Sequence, residues 1–273
     1  MDDPAAASSL NTLLSHSLTP LTLVAETPGL VDASWVVRAQ LREAVVVQRA
    51  SAALLVAGAP QRAAEQLALI GVPAAVWGAR AASPAGAARA AGAAGAAPHV
   101  LVVDVGELAF AQGGGAGEAA LLAALMAPTG AYAAPGGHLV AVDDVGALAE
   151  RCESLAAAAA LLARIAAGAA AAKPRGFVSL RCDADADWAL GSDSGLFAIA
   201  RVSLLESLAR ASHALVRVGP LPTGFSREVH GRVRVETRSA QPAGAREALF
   251  RVGSDGKARV VGDVKHVELR PVT

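Results

Sequence analysis

Seven short runs of apolar, mostly Val- and Leu-rich residues punctuate the chain, each bounded by Gly, Pro or polar residues: AALLVAG (52–58), PAAVWGA (73–79), HVLVVDV (99–105), HLVAVDD (138–144), GFVSLRC (176–182), HALVRVG (213–219) and ARVVGDVKHVEL (258–269). Uninterrupted runs of this length suit strands buried on both faces, so the sheet they build needs helices above and below it. The sequence supplies helical windows in between: PQRAAEQLALIG, GEAALLAALMA, the long GALAERCESLAAAAALLARIAAGAAAAK, GLFAIARVSLLESLAR and PAGAREALFRV. Strand and helix alternating in this way imply right-handed crossovers, and predict an α/β fold with a doubly wound, mostly parallel sheet of seven strands. Residues 51–273 are read as one such domain. Residues 1–50 hold a further possible strand, LTLVAE, and a helical run, DASWVVRAQLREAVVVQRA, and are read as an N-terminal extension.

Composition narrows the function classes. Apolar residues make up 53% of the 273, but much of that is Ala and only 3% is aromatic, which suits helices packed closely on a sheet rather than a bulky sandwich core. The 24 basic and 24 acidic residues cancel, so no field for a polyanion is evident and nucleic acid is not an expected partner. Cys152 and Cys182 lack metal-ligand or redox spacing and read as reduced thiols packed in the core. The acidic start, MDDPAAASSLNTLLSHSL, lacks the flank and apolar run of a secretory signal, and no stretch of about 20 strong hydrophobes follows it, so no membrane span is expected. A cytoplasmic address is the default, with organellar targeting left open. Residues 81–97 and 111–117 are Ala/Gly-rich and read as linkers.

The order of runs and connectors over residues 50–270 resembles the short-chain dehydrogenase/reductase family, a single-domain Rossmann fold. In that resemblance AGAPQRAA (57–64) stands at the cofactor turn T-G-x-x-x-G-x-G, where Gly58 is kept and Arg62 and Ala64 replace the later glycines. Those glycines let a pyrophosphate approach a helix N-terminus, and an Arg and a methyl group obstruct it. Arg80 in WGAR resembles the basic residue of NADPH-preferring members, and Asp104 in VVDV resembles their adenine-contacting Asp; solvation and capping are the plainer readings of the two. Asp143 in DDVG falls on the family's N-N-A-G, with an N-cap role expected for one of the paired acids. The family's catalytic Ser would fall near Asp183, and its Tyr-x-x-x-Lys on Phe197 and Arg201. Phe197 has no proton to give, and Arg201 is too basic and too differently shaped to act as the Lys. No Asn stands in the fourth-helix slot. The turn Gly219-Pro220 inverts the family's P-G, while Gly253 to Gly256 and Gly262 match its final turn and strand.

Other constellations fail. DADADWALGSD (183–193) lacks the Gly and closing Glu of a calcium loop; the six His residues show no metal-ligand pairing; neither G-x-S-x-G nor a P-loop motif occurs. SREVHGRVRVETR (226–238) reads as a solvated hairpin or lid.

The resemblance thus implies a catalytically inactive reductase-like pseudoenzyme, a structural or regulatory subunit with no cofactor. Its partner would be an active paralogue of the same family, or a second copy, through helices 147–172 and 196–211 and the C-terminal strand. The alternative is a divergent oxidoreductase that keeps NAD(P) and acts on an acyl or carbonyl substrate.

Overall fold

The computed structural model describes residues 13–14, 18–27, 31–77, 100–105, 121–122, 125, 136–172, 175–183, 196–221, 223, 226–237, 244–253 and 257–268, with backbone alone at 77, 196–202 and 262–268. The strands are β1 (Thr22–Glu26), β2 (Ser51–Val56), β3 (Ala74–Trp77), β4 (Val100–Asp104), β5 (His138–Val142), β6 (Gly176–Asp183), β7 (Ala214–Gly219), β8 (Gly231–Thr237), β9 (Gly244–Val252) and β10 (Ala258–Glu268). The helices are α1 (Ser34–Arg42), α2 (Pro60–Leu69), α3 (Val145–Glu150), α4 (Leu155–Ala171) and α5 (Leu196–Ala211), with a π-helical turn (Glu43–Val47) after α1. The ten strands form one sheet in the order β10-β9-β8-β7-β1-β6-β5-β2-β4-β3.

All seven apolar runs become strands, and the expectation of an α/β fold with a mostly parallel sheet holds at that level. The count of seven does not. β1 comes from the segment read as an extension, and β8 and β9 are added at the C-terminal side.

The chain divides into two compact units, one of residues Met1–Gln40 with Arg181–Thr273 and the other of Leu41–Leu180. In the first, β1 runs parallel to β7 in the register Thr22↔Ala214 to Glu26↔Val218. β7, β8, β9 and β10 then pair antiparallel in succession. Chain length dictates this direction, because the connections at 220–230, 238–243 and 253–257 are too short for the dozen or more residues of a parallel crossover. The core beneath these strands joins Val24, Val216, Val218, Val233, Val235 and Phe250 to Trp35 and Val36 of α1. Trp35 and Phe250 meet with ring centroids 4.7 Å apart at 42°, a tilted aromatic pair.

β9 corrects the helix expected from PAGAREALFRV. Ala, Arg, Glu and Leu favour a helix by intrinsic propensity, but pairing with β8 on one side and β10 on the other outweighs a few tenths of a kcal/mol per residue. As a strand it sends Phe250 fully into the core while its neighbour Leu249 stays 39% exposed.

In the second unit β2 is flanked by β4 and β5, β3 pairs with β4, and β5 pairs with β6, all parallel. The long Ala-rich helix expected at 146–173 is two helices. Ser154 has an extended backbone and its Oγ accepts from the Ala157 N–H at 3.1 Å, so a fresh N-cap ends one helix and starts the next. The inward stripe of α4 is Ala158, Leu161, Leu162, Ile165 and Ala169. The chain turns back tightly after α4, where a Cβ on Gly176 would lie 1.6 Å from the Ala169 carbonyl oxygen. That stripe is buried within the chain's own unit.

The sheet order overturns the reductase resemblance. If β2 were the first strand of a Rossmann fold, the order 3-2-1-4-5-6 would place β3 beside it and β4 at the edge. Here β4 is the neighbour and β3 the edge, and β1 stands between β6 and β7, where the Rossmann order has no strand. A parallel C-terminal strand is likewise replaced by three antiparallel ones.

Candidate functional site at the turn between β1 and α1

β1 ends on Glu26, and seven residues later α1 begins at Ser34. Glu26 is only 7% exposed, and each of its carboxylate oxygens has a donor. Oε2 accepts from the backbone N–H of Ala33, just ahead of α1, at 2.5 Å. Oε1 accepts from Nη1 of Arg181, near the end of β6, which is itself largely buried. Asp183, two residues on, hydrogen-bonds beside it. Burial is the main force on this carboxyl and pushes it up to about 7, against the pull of Arg181 and the Ala33 N–H, while Asp183 adds to the rise.

The turn is held from the other side by Asp32 and Ser34. Asp32 Oδ1 accepts from the Ser34 N–H at 2.7 Å, and Oδ2 accepts from the Ser34 hydroxyl at 2.7 Å. Ser34 Oγ in turn accepts from Arg38 Nη1 at 2.9 Å. Burial works to raise the Asp32 carboxyl, but the two Ser34 hydrogen bonds, with Arg181 and Arg38 nearby, hold it below its usual value. Arg181 also approaches Asp32 Oδ1 at 3.9 Å. Chemically the arrangement is a closed network around a buried carboxylate. Among the described residues, the Glu26 and Asp32 carboxylates, the Ser34 hydroxyl and the Ala33 and Ser34 N–H groups are engaged within the chain.

Of the residues singled out from sequence, Asp183 alone belongs to this cluster. The resemblance put it in a catalytic Ser slot; the fold puts it next to Glu26. Gly58, Asp104 and Asp143 lie in the second unit, at the ends of β2, β4 and β5. Gly58 has φ +99° and its N–H donates to Asp104 Oδ1 at 3.1 Å, so Asp104 ties down a left-handed turn. The Asp143 N–H donates to the Leu55 carbonyl at 2.9 Å, and its neighbour Asp144 caps α3 by accepting from the Ala147 N–H at 2.9 Å. Arg62 is exposed on α2. Arg80 lies outside the described residues, and so do the side chains of Phe197 and Arg201, whose backbone is part of α5. Asp183 is in one unit, and Gly58, Asp104 and Asp143 are in the other.

Glu26, Arg181, Asp32 and Ser34 were missed. The available signal was the strand LTLVAE followed at once by a turn and a helix, but a segment read as an extension hid it. Among the described residues no group of three or more His, Cys, Asp or Glu is placed to hold a metal ion, and no helix is long and apolar enough to cross a membrane.

No protein-family model matches the chain, and no curated protein matches it. Among solved structures it is similar to a KaiC-like protein, PH0186, from the hyperthermophilic archaeon Pyrococcus horikoshii OT3, at a TM-score of 0.51 and 11% identity over 89% of each chain. That likeness is one of fold alone, and with it the short-chain dehydrogenase/reductase assignment falls, together with the oxidoreductase and inactive-reductase readings drawn from it.

In a P-loop fold, a strand leads through G-x-x-x-x-G-K-[ST] into a helix, and the loop's N–H groups cradle phosphate. The strand, turn and helix here are β1, TPGLVDA (27–33) and α1. Aligned on Ser34, Thr27 and Asp32 stand for the two glycines and Ala33 for the lysine. Only Ser34 matches, and its hydroxyl is committed to Asp32. Of the motif's residue types only Ser34 is present: Ala33 stands in the lysine position, Asp32 in a glycine position, and the Glu26 carboxylate holds the Ala33 N–H.

Proposed function

We propose that this chain is a KaiC-like α/β protein that has given up nucleotide chemistry and serves as a non-hydrolysing structural or interaction subunit. One observation carries the reading: the Glu26 carboxylate accepts the Ala33 N–H where a P-loop would offer that donor to phosphate, and Ala33 itself stands in the lysine slot. Without the lysine, the turn lacks the charge that neutralises a polyphosphate. Glu26 and Asp32 instead engage the cations beside the turn, Arg181 and Arg38.

An interaction role is supported by the surface at β3, the edge strand of the sheet. Val76 on β3 is 37% exposed and Leu69, the last residue of α2, is 66% exposed. Among the described residues no strand pairs with the outer edge of β3, and a strand edge and exposed apolar side chains are features that partners cover.

Calorimetric titration of the full chain with ATP and Mg²⁺, with phosphate release followed in parallel, tests the proposal. No heat of binding and no release above the buffer rate are expected. Micromolar ATP binding, or turnover abolished by a substitution in the turn, overturns it.

A further inference from the structure

We propose that the outward face of β7, β8 and β9 is a docking surface for a short acidic segment of a partner protein, which sets an apolar side chain on Leu249 and its carboxylates on Arg232 and Arg251. The inference goes beyond the loss of nucleotide chemistry and does not depend on it.

Strand pleating sorts the residues of this part of the sheet onto two faces. Val216, Val218, Val233, Val235, Ala248 and Phe250 lie on the core side. The register sets their neighbours on the other side in rows: Arg217, Arg234 and Glu247 in one, Arg232 and Leu249 in the next, and Arg251 with Arg259 of β10 in the last. Arg232 and Arg251 are exposed, and Leu249, beside both, is 39% exposed.

The acids of this face are engaged at its far end. Glu236 Oε1 lies 2.9 Å from Arg234 Nε and 3.9 Å from Arg217 Nε, and Glu247 stands opposite Arg234. Among the described residues no carboxylate pairs with Arg232 or Arg251. The face is therefore locally positive in a chain whose charges cancel as a whole. An exposed leucine beside guanidinium groups is the pattern of a protein-binding surface: the apolar contact excludes water, and each guanidinium meets a carboxylate through paired N–H bonds.

Charge and size select the occupant. A second copy laid face to face sets arginine against arginine. A nucleic acid brings its phosphates against Glu236 and Glu247, and these rows offer no aromatic side chain for its bases to stack on. With strands about 4.8 Å apart and rows about 6.7 Å apart, the face measures roughly 10 by 13 Å, which fits a short segment and falls well short of a domain-sized interface.

Fluorescence polarisation with the full chain tests the proposal, using as probe a labelled synthetic peptide of glutamates with interspersed leucines. An oligo-glutamate of equal length, single-stranded DNA and phosphatidylserine vesicles serve as comparisons. Wild type is expected to bind the probe saturably and the oligo-glutamate more weakly. Arg232→Glu with Arg251→Glu weakens probe binding by about tenfold or more, and Leu249→Asn brings it down to the level of the oligo-glutamate, both with an unchanged thermal midpoint because the three side chains are exposed. Should the charge-reversed chain not fold, Arg232→Ala with Arg251→Ala takes its place, with a loss in the same direction. No binding by wild type, equal binding by the substituted chains, or tighter binding to the DNA or the vesicles than to the peptide overturns the inference. The two readings fail separately: ATP binding by wild type defeats the proposed function and leaves this face untouched.

Discussion

Two buried titratable side chains, one in each unit, pull the stability of this protein in opposite directions with pH. The Glu26 carboxyl is held up to about 7, so between about 4.5 and 7 the folded chain keeps a proton that the unfolded chain has released. Its contribution is fully present at the acid end and is lost as pH rises through 7. Glu26→Gln keeps the shape and removes the titration. Urea unfolding from pH 4.5 to 8 is expected to show the variant gaining on wild type as pH rises; a constant difference would refute the assignment. His138 does the reverse. It is buried, its Nε2 donates to the Leu125 carbonyl at 2.8 Å, and its Nδ1 therefore accepts from Ser51 Oγ at 2.9 Å. Burial pushes it down to about 4, so its contribution is present above about 6.5 and is lost as pH falls toward 4. His138→Gln costs stability at neutral pH, and in the same urea series that deficit shrinks as pH drops through this window.

Elements in this fold are fixed by single residues at their ends and contact points. Ser154 splits what reads as one Ala-rich helix into α3 and α4. Ser154→Ala is expected to cost about 1 kcal/mol in denaturant unfolding, the usual loss on removing an N-cap hydroxyl. Gly176→Ala acts on packing instead. Its added methyl would sit 1.6 Å from the Ala169 carbonyl, so α4 must move off β6, at the upper end of the roughly 1–3 kcal/mol range for overpacking or beyond it. Unchanged stability would mean that the helix does not pass where it is drawn. β9 shows the limit of local reasoning. Its residues are helix formers, and only pairing on both sides makes it a strand.

At the scale of the whole molecule, strand order separates this protein from the family its sequence resembles. The seven apolar runs and their connectors fit a reductase, and so does the spacing of Phe197 and Arg201. Yet β3 sits outside β4, and β1 separates β6 from β7. A tyrosine and a lysine placed on α5 would therefore not stand within a reductase strand order. The double substitution Phe197→Tyr, Arg201→Lys is expected to give no carbonyl-dependent loss of NADPH absorbance, and measurable turnover would reopen the question.

The sequence by itself determined seven of the ten strands, because an apolar run with no polar interruption must be covered on both faces wherever it lies in the sheet. It also determined a local cap, since an N-cap role was expected for one of the paired acids and Asp144 accepts from an N–H three residues on. The order of the strands was decided only by the tertiary structure, since Val- and Leu-rich runs are interchangeable to one another and none carries a mark of its neighbour. With the order came the site. Glu26 and Arg181 are unremarkable in sequence, one closing an apolar run and the other lying inside one, and they meet because β1 is inserted beside β6. A buried carboxylate is costly until its donors arrive, and here one donor is local and the other comes from the far side of the chain's sequence.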